Sequence, residues 1–505
     1  MKLLEQIISR MSVDERVGFR DSLKSVKHQK HLITLFDKLC ADRDWNKNEI
    51  SKLIYGSANL GSYHSLRKRL MRRVNDYIAY LRFETDKTDG GSVLSLLYSA
   101  QFLLERDCPT EANQFLVKAE KTAIQNDQYD ALNMIYGFQL LHHVTLKINL
   151  ENLITKLQNN LTALTQTNKL DIAFAEIQEA HDQMKISGKN LAAETVLKRI
   201  FADKELMNLA KTNVGFMFRI VTLCRKVITS AKDYHMFEPY VIGVYNYLKS
   251  RNAFQGNHAK TEIHFVYMIV HALYRTLKFD ETRIWLKIFY DLFPQNRVTS
   301  HPLYPKYIST VSALEAYTGK APLAIDILNE TLNNSSSRLP VKEKLNMQLN
   351  LAVYYFSIAN YKEANKSIGK IQHSNTWLDN LMGKEWRFKR DTIEVIIFSE
   401  KGESELAQSR LALMKKNYAD FLNNMNYIFA SMFLNFIGKI IENSAVATSK
   451  EFAAQIKEAA DKGWPGERND IQAITFFCWI KCKMEKRDYY SVLVEWTESA
   501  RIVVE

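Results

Sequence analysis

The sequence predicts an all-α fold, an α-solenoid of antiparallel helix pairs that follows an N-terminal helical domain. Its 505 residues include only 17 Gly and 8 Pro, whereas sheet-rich folds draw heavily on both for tight turns. The chain exceeds the roughly 50–250 residues of an ordinary domain, a limit that repeat arrays escape because each unit packs only on its neighbours. Apolar residues also recur with the period of an amphipathic helix.

The first domain is predicted to be helical and basic, and it spans residues 1–85. The apolar pattern indicates three longer helices and a short fourth one, near 2–24, 27–41, 62–83 and 47–55. The domain carries 17 Lys and Arg against 10 Asp and Glu, so it holds more than half of the net charge of +12. Such an asymmetry indicates a polyanionic or acidic partner.

Three further domains are predicted beyond a polar, Gly-containing segment at 85–92, which is typical of a domain boundary. Residues 92–255 are predicted to be divergent helical repeats, because most of this stretch has helical periodicity without a recognisable repeated phrase. Residues 256–420 are predicted to form helix pairs, and residues 421–505 to form a C-terminal helical cap.

One sequence pattern recurs along the chain: a small residue or glycine, a polar turn, an alanine, and then an apolar helix. The alanine position is occupied by Ala112, Thr282, Ala324, Ala364 and Ala407. The last four of these positions are 42, 40 and 43 residues apart. A repeat of this length predicts one helix pair per unit.

The units resemble the tetratricopeptide repeat, a pair of antiparallel helices of about 34 residues. Leu351, Ala352 and Tyr355 stand where that family has a leucine, a small residue and a tyrosine in its first helix. Ala364 stands at the small position that opens the second helix, and Pro294 where the family places its terminal proline. The resemblance implies stacked helix pairs and protein recognition, although these repeats serve many roles.

The helix predicted near 62–83 separates apolar residues from basic ones. Its apolar face collects Tyr63, Leu66, Leu70, Val74, Tyr77 and Leu81. Its opposite face collects the cations Lys68, Arg69 and Arg72, with Arg73 at the edge. Arg67 lies beside the apolar stripe and is expected to extend its charge away from it.

The basic face suits contacts with phosphates, each of which releases counterions on binding. The preceding helix suggests a helix-turn-helix, although the turn from Gly56 to Gly61 is longer than the usual three or four residues. A merely solvated face and an acidic protein partner are the alternatives to nucleic acid.

The tetratricopeptide resemblance also implies a partner-binding face made by the first helices of the pairs. Carried onto this sequence, that face contains His264, Tyr267, His271, Tyr274, Lys306 and Asn346. The first four share one side of a helix because they are spaced by three or four residues. Rigid rings with polar tips bind peptides well. In the alternative interpretation, the tyrosines cover the core and the histidines face water.

No metal site, cofactor or catalytic motif is predicted. Cys478 and Cys482 lie one helical turn apart without further ligands nearby, so they are interpreted as packing residues. The sequence lacks a GxxxxGK[ST] phosphate loop, an HExxH motif and a GxSxG elbow. Charged residues interrupt the N-terminal apolar residues, and no run approaches the length of a spanning helix, so we expect a cytoplasmic protein.

Three functional hypotheses remain at this stage. The leading one is a non-enzymatic adaptor or scaffold that holds a peptide or protein on the repeats. The alternative is a nucleic-acid-linked regulator with a basic N-terminal head and a sensing repeat body. The third is an enzyme whose site lies between residues 130 and 255, which would require a deep polar pocket with perturbed titratable groups.

Overall fold

The structure is a computed structural model, and all of its regular secondary structure within the residues it describes is helical. It describes residues 3–24, 30–40, 46–85, 89–187, 191–231, 234–255, 258–335, 339–422, 428–461 and 471–502. The chain divides into two compact units, Met1–Leu164 and Thr165–Glu505. The all-α prediction is confirmed.

Unit 1 contains nine helices within its described residues, and the last of them continues past the unit boundary. They are α1 (Leu3–Arg10), α2 (Val13–Lys24), α3 (Lys30–Cys40), α4 (Lys47–Tyr55), α5 (Leu60–Thr85), α6 (Asp89–Leu104), α7 (Pro109–Gln125), α8 (Tyr129–Leu141) and α9 (Leu150–Ser187). Of the predicted boundary segment 85–92, Thr85 is the last residue of α5, residues 89–92 already belong to α6, and residues 86–88 lie outside the described residues.

The predicted helix near 2–24 is in fact two helices, because Ser12 starts a new one. The Ser12 hydroxyl accepts a hydrogen bond from the backbone N–H of Glu15, and the Glu15 carboxylate accepts one from the N–H of Ser12. This reciprocal arrangement is a capping box, which satisfies two N–H groups at a helix start. The Ser-x-x-Glu signal was present in the sequence.

Helices α1–α5 share one apolar core, to which the predicted face of α5 contributes Tyr63, Leu66, Leu70 and Val74. Gly18 allows α2 to approach α5 closely, since a Cβ at this position would lie 2.3 Å from the Tyr77 hydroxyl. Helices α6–α9 contribute to a second core within unit 1, in which Ala100, Ala112 and Ala119 are fully buried.

Unit 2 contains helices α10 to α27 among its described residues. They are α10 (Leu191–Ala202), α11 (Lys204–Thr212), α12 (Val214–Ala231), α13 (Tyr234–Ser250), α14 (Ala259–Arg275), α15 (Phe279–Asp291), α16 (Tyr304–Tyr317), α17 (Ala321–Ser335), α18 (Val341–Ser357), α19 (Tyr361–Gly369), α20 (Asn375–Met382), α21 (Lys384–Glu400), α22 (Ser404–Asn417), α23 (Ala419–Leu422), α24 (Ile428–Glu442), α25 (Lys450–Asp461), α26 (Ile471–Glu485) and α27 (Tyr489–Ile502).

Four successive helix pairs form the middle of unit 2: α14 with α15, α16 with α17, α18 with α19, and α21 with α22. Each second helix has the predicted small residue as its fourth residue, and so does α7 in unit 1. These residues, Ala112, Thr282, Ala324, Ala364 and Ala407, are all 0% exposed. A small side chain here lets the two helices of a pair approach closely, so the predicted repeat register is confirmed.

The connection inside each pair has a recurring geometry. Leu277, Gly319, Ala359 and Gly402 adopt positive φ angles at the same place in four connections. The next residue in each case donates its backbone N–H to a carbonyl five residues earlier, as Asn360 does to Tyr355 at 2.9 Å. This is the Schellman motif, which satisfies carbonyl groups at a helix end.

The C-terminal helices α26 and α27 pack across these connections. Tyr490 contacts the α16–α17 connection. Tyr489 packs on Phe356 at the end of α18, with ring centroids 5.1 Å apart. Trp479 donates a hydrogen bond of 2.7 Å to Glu400 at the end of α21. Helices α26 and α27, which we call the C-terminal hairpin, therefore contact three successive helix pairs along one edge.

Candidate functional site

The first helices of the pairs lie side by side in unit 2. Helix α14 contacts α12 and α16, and α18 contacts α16 and α21. We call the accessible side of these five helices the first-helix face. The predicted binding residues lie on its helices α14, α16 and α18.

Helix α14 is buried except along a narrow stripe. Its buried residues include Ile263, Phe265, Val266, Met268, Ile269, Val270, Ala272 and Leu273. His264 is exposed, whereas Tyr267, His271 and Tyr274 are half-buried. The 3–4 spacing therefore does place these four residues on the accessible stripe, although their role in binding remains a prediction.

Tyr267 is the centre of a cationic cluster. The guanidinium of Arg225 on α12 lies 4.8 Å from the centroid of the Tyr267 ring. The ammonium of Lys306 on α16 lies 5.6 Å from the same centroid and 2.9 Å from a carboxylate oxygen of Glu343 on α18. The ring therefore faces two cations, an arrangement that cation–π attraction favours.

The surroundings of the two histidines of the stripe lower the pKa of both imidazoles. Partial burial of the imidazole ring, followed by repulsion from His301 and Arg225, lowers the pKa of His264. For His271, burial and then the charges of Arg225, Arg275 and Lys306 hold the pKa well below its usual value. A neutral imidazole offers one N–H donor and one acceptor nitrogen to a ligand.

Two of the predicted binding residues also have structural contacts. The Tyr274 ring packs at 6.2 Å from Phe279 and at 6.5 Å from Tyr317, so it joins one pair to the next. The side-chain oxygen of Asn346 accepts a hydrogen bond of 2.9 Å from the indole N–H of Trp386. Both residues therefore stabilise the face as well as line it.

Arg225 and Arg275, whose charges act on His271, are not among the binding residues predicted from the sequence. Arg225 lies in the stretch 130–255, where no repeated phrase marks a first helix. Arg275 follows Tyr274 directly, and its guanidinium lies 4.9 Å from the Tyr234 ring. No local signal distinguishes either arginine from a solvated one.

The basic face of α5 has the predicted geometry. Lys68, Arg69, Arg72 and Arg73 are all exposed, and within the described part of the chain none of them forms an ion pair. Arg67 is half-buried and forms a two-pronged ion pair with Glu5. The position predicted for Arg67 beside the apolar stripe is therefore confirmed.

The turn before α5 is shorter than the sequence suggested. Helix α4 ends at Tyr55, Gly56 caps it with φ 77°, and α5 already begins at Leu60, so residues 56–59 make the connection. A link of this length falls within the usual three or four residues of a helix-turn-helix. The connection is shorter than the span from Gly56 to Gly61 because Leu60 and Gly61 already belong to α5.

An open cleft of about 530 Å³ lies between α12 and α13, at the end of the stretch where an enzyme site was considered. Met217, Pro239, Tyr240 and Tyr247 line it, together with Lys211. Burial raises the pKa of Tyr240, whose hydroxyl group contacts the buried thiol of Cys224. This lining offers phenol groups and hydrocarbon rather than a pair of carboxylates or a carboxylate and an imidazole.

The remaining sequence predictions concern metals, cysteines and membranes. Within the described ranges, no three His, Cys, Asp or Glu side chains are grouped to hold a metal ion. Cys478 and Cys482 are buried in α26, and burial raises the pKa of each thiol to about 12. No helix in the described part of the chain is both long enough and apolar enough to span a bilayer.

No protein family matches the sequence, and no curated relative matches it. Among solved structures, the chain is similar to the apo form of RapI, with 13% identity, a TM-score of 0.40, and coverage of 82% of this chain and 98% of that chain. It is also similar to the TPR domain of P58(IPK), with 14% identity, a TM-score of 0.18, and coverage of 78% and 98%.

The class of protein follows from the chain's own geometry. Stacked antiparallel pairs, a fully buried small residue at the fourth position of each second helix, and a recurring connection define a tetratricopeptide-like helical-repeat protein.

Proposed function

We propose that this chain is a non-catalytic binding protein that holds a peptide or protein partner on the first-helix face. One observation carries the proposal: His264, Tyr267 and Lys306 remain accessible or half-buried on two touching first helices, whose inner sides are buried. Rings and cations of this kind dominate binding energies at interfaces. A scaffold of packed helices presents them in fixed positions, which reduces the entropy lost on binding.

The cytoplasm is the compartment that suits this proposal. All five cysteines are free thiols, as is usual for proteins in a reducing environment.

A display selection of peptides on the purified chain tests the proposed function. The face variant combines His264→Ala with Tyr267→Ala. The matched control combines His235→Ala with Tyr290→Ala, which removes the same two residue types from exposed positions on α13 and α15. Selected peptides are expected to lose at least about tenfold in affinity for the face variant and to keep their affinity for the control. Peptides that bind both variants as tightly as the parent would contradict the proposal.

A second candidate function is nucleic-acid binding by unit 1. Two observations favour it. The α4–α5 connection is short, and four exposed cations on α5 form no ion pair within the described residues. Duplex DNA is the proposed ligand of this basic helix. The DNA phosphates complement the positive charge of α5, and the major groove is wide enough to admit a helix. An acidic protein is the alternative occupant, and the salt dependence described in the Discussion separates the two.

A further inference from the structure

The open cleft between α12 and α13 is lined by two residues that helix interiors ordinarily avoid. Pro239 and Gly243 stand four positions apart inside α13, and both line the cleft. Proline removes a hydrogen bond from a helix interior, and glycine destabilises the helix relative to alanine. Apart from its own helix backbone and chain neighbours, a Cβ at Gly243 would meet no described atom within 4 Å. The missing side chain therefore leaves the cleft open at a cost to the helix.

The walls of the cleft are mainly hydrocarbon. Met217 of α12 lines it, together with the rings of Tyr240 and Tyr247 on α13. The protein itself binds both phenol hydroxyls. That of Tyr240 contacts the thiol of Cys224, and that of Tyr247 donates a hydrogen bond of 3.3 Å to the backbone carbonyl of Lys211. These residues therefore offer ring and aliphatic surface to a ligand.

One end of the cleft is cationic. Lys211 lies at the Tyr247 end, where its backbone carbonyl accepts the Tyr247 hydroxyl, and the guanidinium of Arg251 lies 4.7 Å from the centroid of the Tyr247 ring. Both cations are exposed, and within the described part of the chain neither forms an ion pair. The lining residues that the structure describes include no carboxylate. An anion at this end would meet two cations without displacing an existing partner.

The dimensions of the cleft suit a small molecule. Its volume of about 530 Å³ lies within the range of roughly 300–1,000 Å³ that is usual for ligand pockets. The stripe of α13 from Pro239 to Tyr247 is about 12 Å long, because a helix rises about 1.5 Å per residue. An extended acyl chain of medium length spans a similar distance.

We infer that the cleft binds a medium-chain carboxylic acid, with its acyl chain along Tyr240 and Gly243 and its carboxylate at the end that carries Lys211 and Arg251. This inference goes beyond the proposed function, because none of these residues belongs to the predicted peptide-binding set. Removal of the acyl chain from water favours binding in proportion to the apolar area buried. Charge-assisted hydrogen bonds from the two cations orient the carboxylate.

Calorimetric titration of the full chain with three small probes tests the ligand class. The probes are octanoate, its neutral counterpart octanol, and the short acid butyrate. Octanoate is expected to bind. Octanol is expected to bind about tenfold more weakly, because it lacks the negative charge. Butyrate is expected not to bind detectably, because it buries too few methylene groups.

Gly243→Leu tests the location of the site. The leucine side chain would occupy the cleft, so octanoate is expected to bind at least about tenfold more weakly. The melting temperature is expected to stay at or above that of the parent, because leucine favours a helix more than glycine does. The control Gly137→Leu makes the same change inside α8, at a half-buried glycine whose added Cβ would also meet no described atom within 4 Å. It is expected to leave the octanoate affinity unchanged.

Lys211→Gln combined with Arg251→Gln tests the orientation of the ligand. This double variant is expected to weaken octanoate binding about tenfold and to leave octanol binding unchanged, because only the acid interacts with the two charges. The control Lys260→Gln combined with Lys287→Gln removes two exposed positive charges from α14 and α15. The control is expected to bind octanoate as the parent does.

The methyl group of Met217 reports occupancy of the cleft by NMR, because Met217 lines it. In a chain labelled at the methionine methyl groups, octanoate is expected to shift the Met217 signal, which is identified by its loss in Met217→Leu. Gly243→Leu is expected to abolish this shift. The same spectra show whether each variant is folded.

Each contrary outcome has its own meaning. Absence of octanoate binding, or equal weakening by Gly243→Leu and Gly137→Leu, overturns the cleft assignment. Equal affinities for octanoate and octanol overturn the acid class and assign the cleft to a neutral apolar group, such as a side chain of a protein partner. Full octanoate affinity in the double variant of Lys211 and Arg251 overturns the proposed orientation. The display selection tests peptide binding on the first-helix face separately from all of these results.

Discussion

The hydroxyl group of Tyr490 accepts a hydrogen bond of 2.8 Å from the backbone N–H of Ala321 and donates one of 2.7 Å to the carbonyl of Ala316. These partners lie at the two ends of the α16–α17 connection. Thr497 adds a hydrogen bond of 3.0 Å to the carbonyl of Tyr317. Side chains of the C-terminal helix α27 therefore complete the hydrogen bonding of a repeat that precedes it by about 170 residues.

Tyr490→Phe is expected to destabilise unit 2 by about 1–3 kcal/mol, because the buried N–H of Ala321 loses its acceptor. Urea unfolding measures the loss, and hydrogen exchange at the Ala321 amide locates it. Tyr290→Phe, at an exposed position on α15, is the matched control and should change little. Unaltered protection of the Ala321 amide would mean that the hairpin does not hold this connection.

Leu351→Ala is expected to cost about 2–5 kcal/mol, since Leu351 is 3% exposed and packs in the core that α16, α17 and α18 share. The control Leu323→Ala truncates a leucine that is 46% exposed on α17. Denaturant unfolding measures both variants. Equal, small effects would show that the assigned repeat register is wrong.

Ala359→Gly is expected to stabilise the chain by about 0.5–1 kcal/mol. Ala359 has a φ of 57°, a region that costs an L-residue roughly 1–2 kcal/mol, and glycine adopts it freely. Ala454→Gly makes the same chemical change at an exposed position inside α25, where it should destabilise by a similar amount. Thermal melting compares the two variants, and a loss of stability in both would refute the strain argument.

Stability is expected to fall as the pH drops from about 7 to 5, partly because of His271. Its folded pKa is held well below the ordinary value, so the unfolded chain takes up a proton near pH 6.5 while the folded chain does not. The contribution of His271 to stability is therefore fully present above about pH 6.5 and decreases progressively as the pH falls below that value. Denaturant titrations at both pH values should show a smaller loss for His271→Gln than for the parent, whereas His235→Gln at an exposed position should match the parent. Equal losses in all three chains would contradict this assignment.

Duplex DNA binding, measured by fluorescence anisotropy, is expected to depend on the basic face of α5. Arg69→Glu combined with Arg72→Glu should weaken it and lower the slope of log affinity against log salt by about two, because two phosphate contacts are lost. Lys260→Glu combined with Lys287→Glu makes the same charge change at exposed positions in unit 2. If both double variants bind DNA as the parent does, α5 is not a DNA-binding helix.

Local features of the sequence predicted much of the fold. The small residue that opens each second helix identified five helix pairs, and the 3–4 spacing on α14 identified its accessible stripe. Both predictions succeed because helix periodicity and close helix approach depend on residues within one or two turns. The capping box at Ser12 was equally local and was missed only because the apolar pattern runs through it.

The sequence by itself therefore determined the all-α class, the five helix pairs marked by a small residue, and the accessible side of α14. The tertiary structure alone decided that Arg225 reaches Tyr267, that Asn346 accepts from Trp386, and that the C-terminal hairpin crosses three earlier connections. The reason is physical. The periodicity of apolar residues within a helix predicts which side of the helix is buried, but it does not predict which distant residues pack against that side. Contacts between residues 40 to 170 positions apart arise only when the pairs stack.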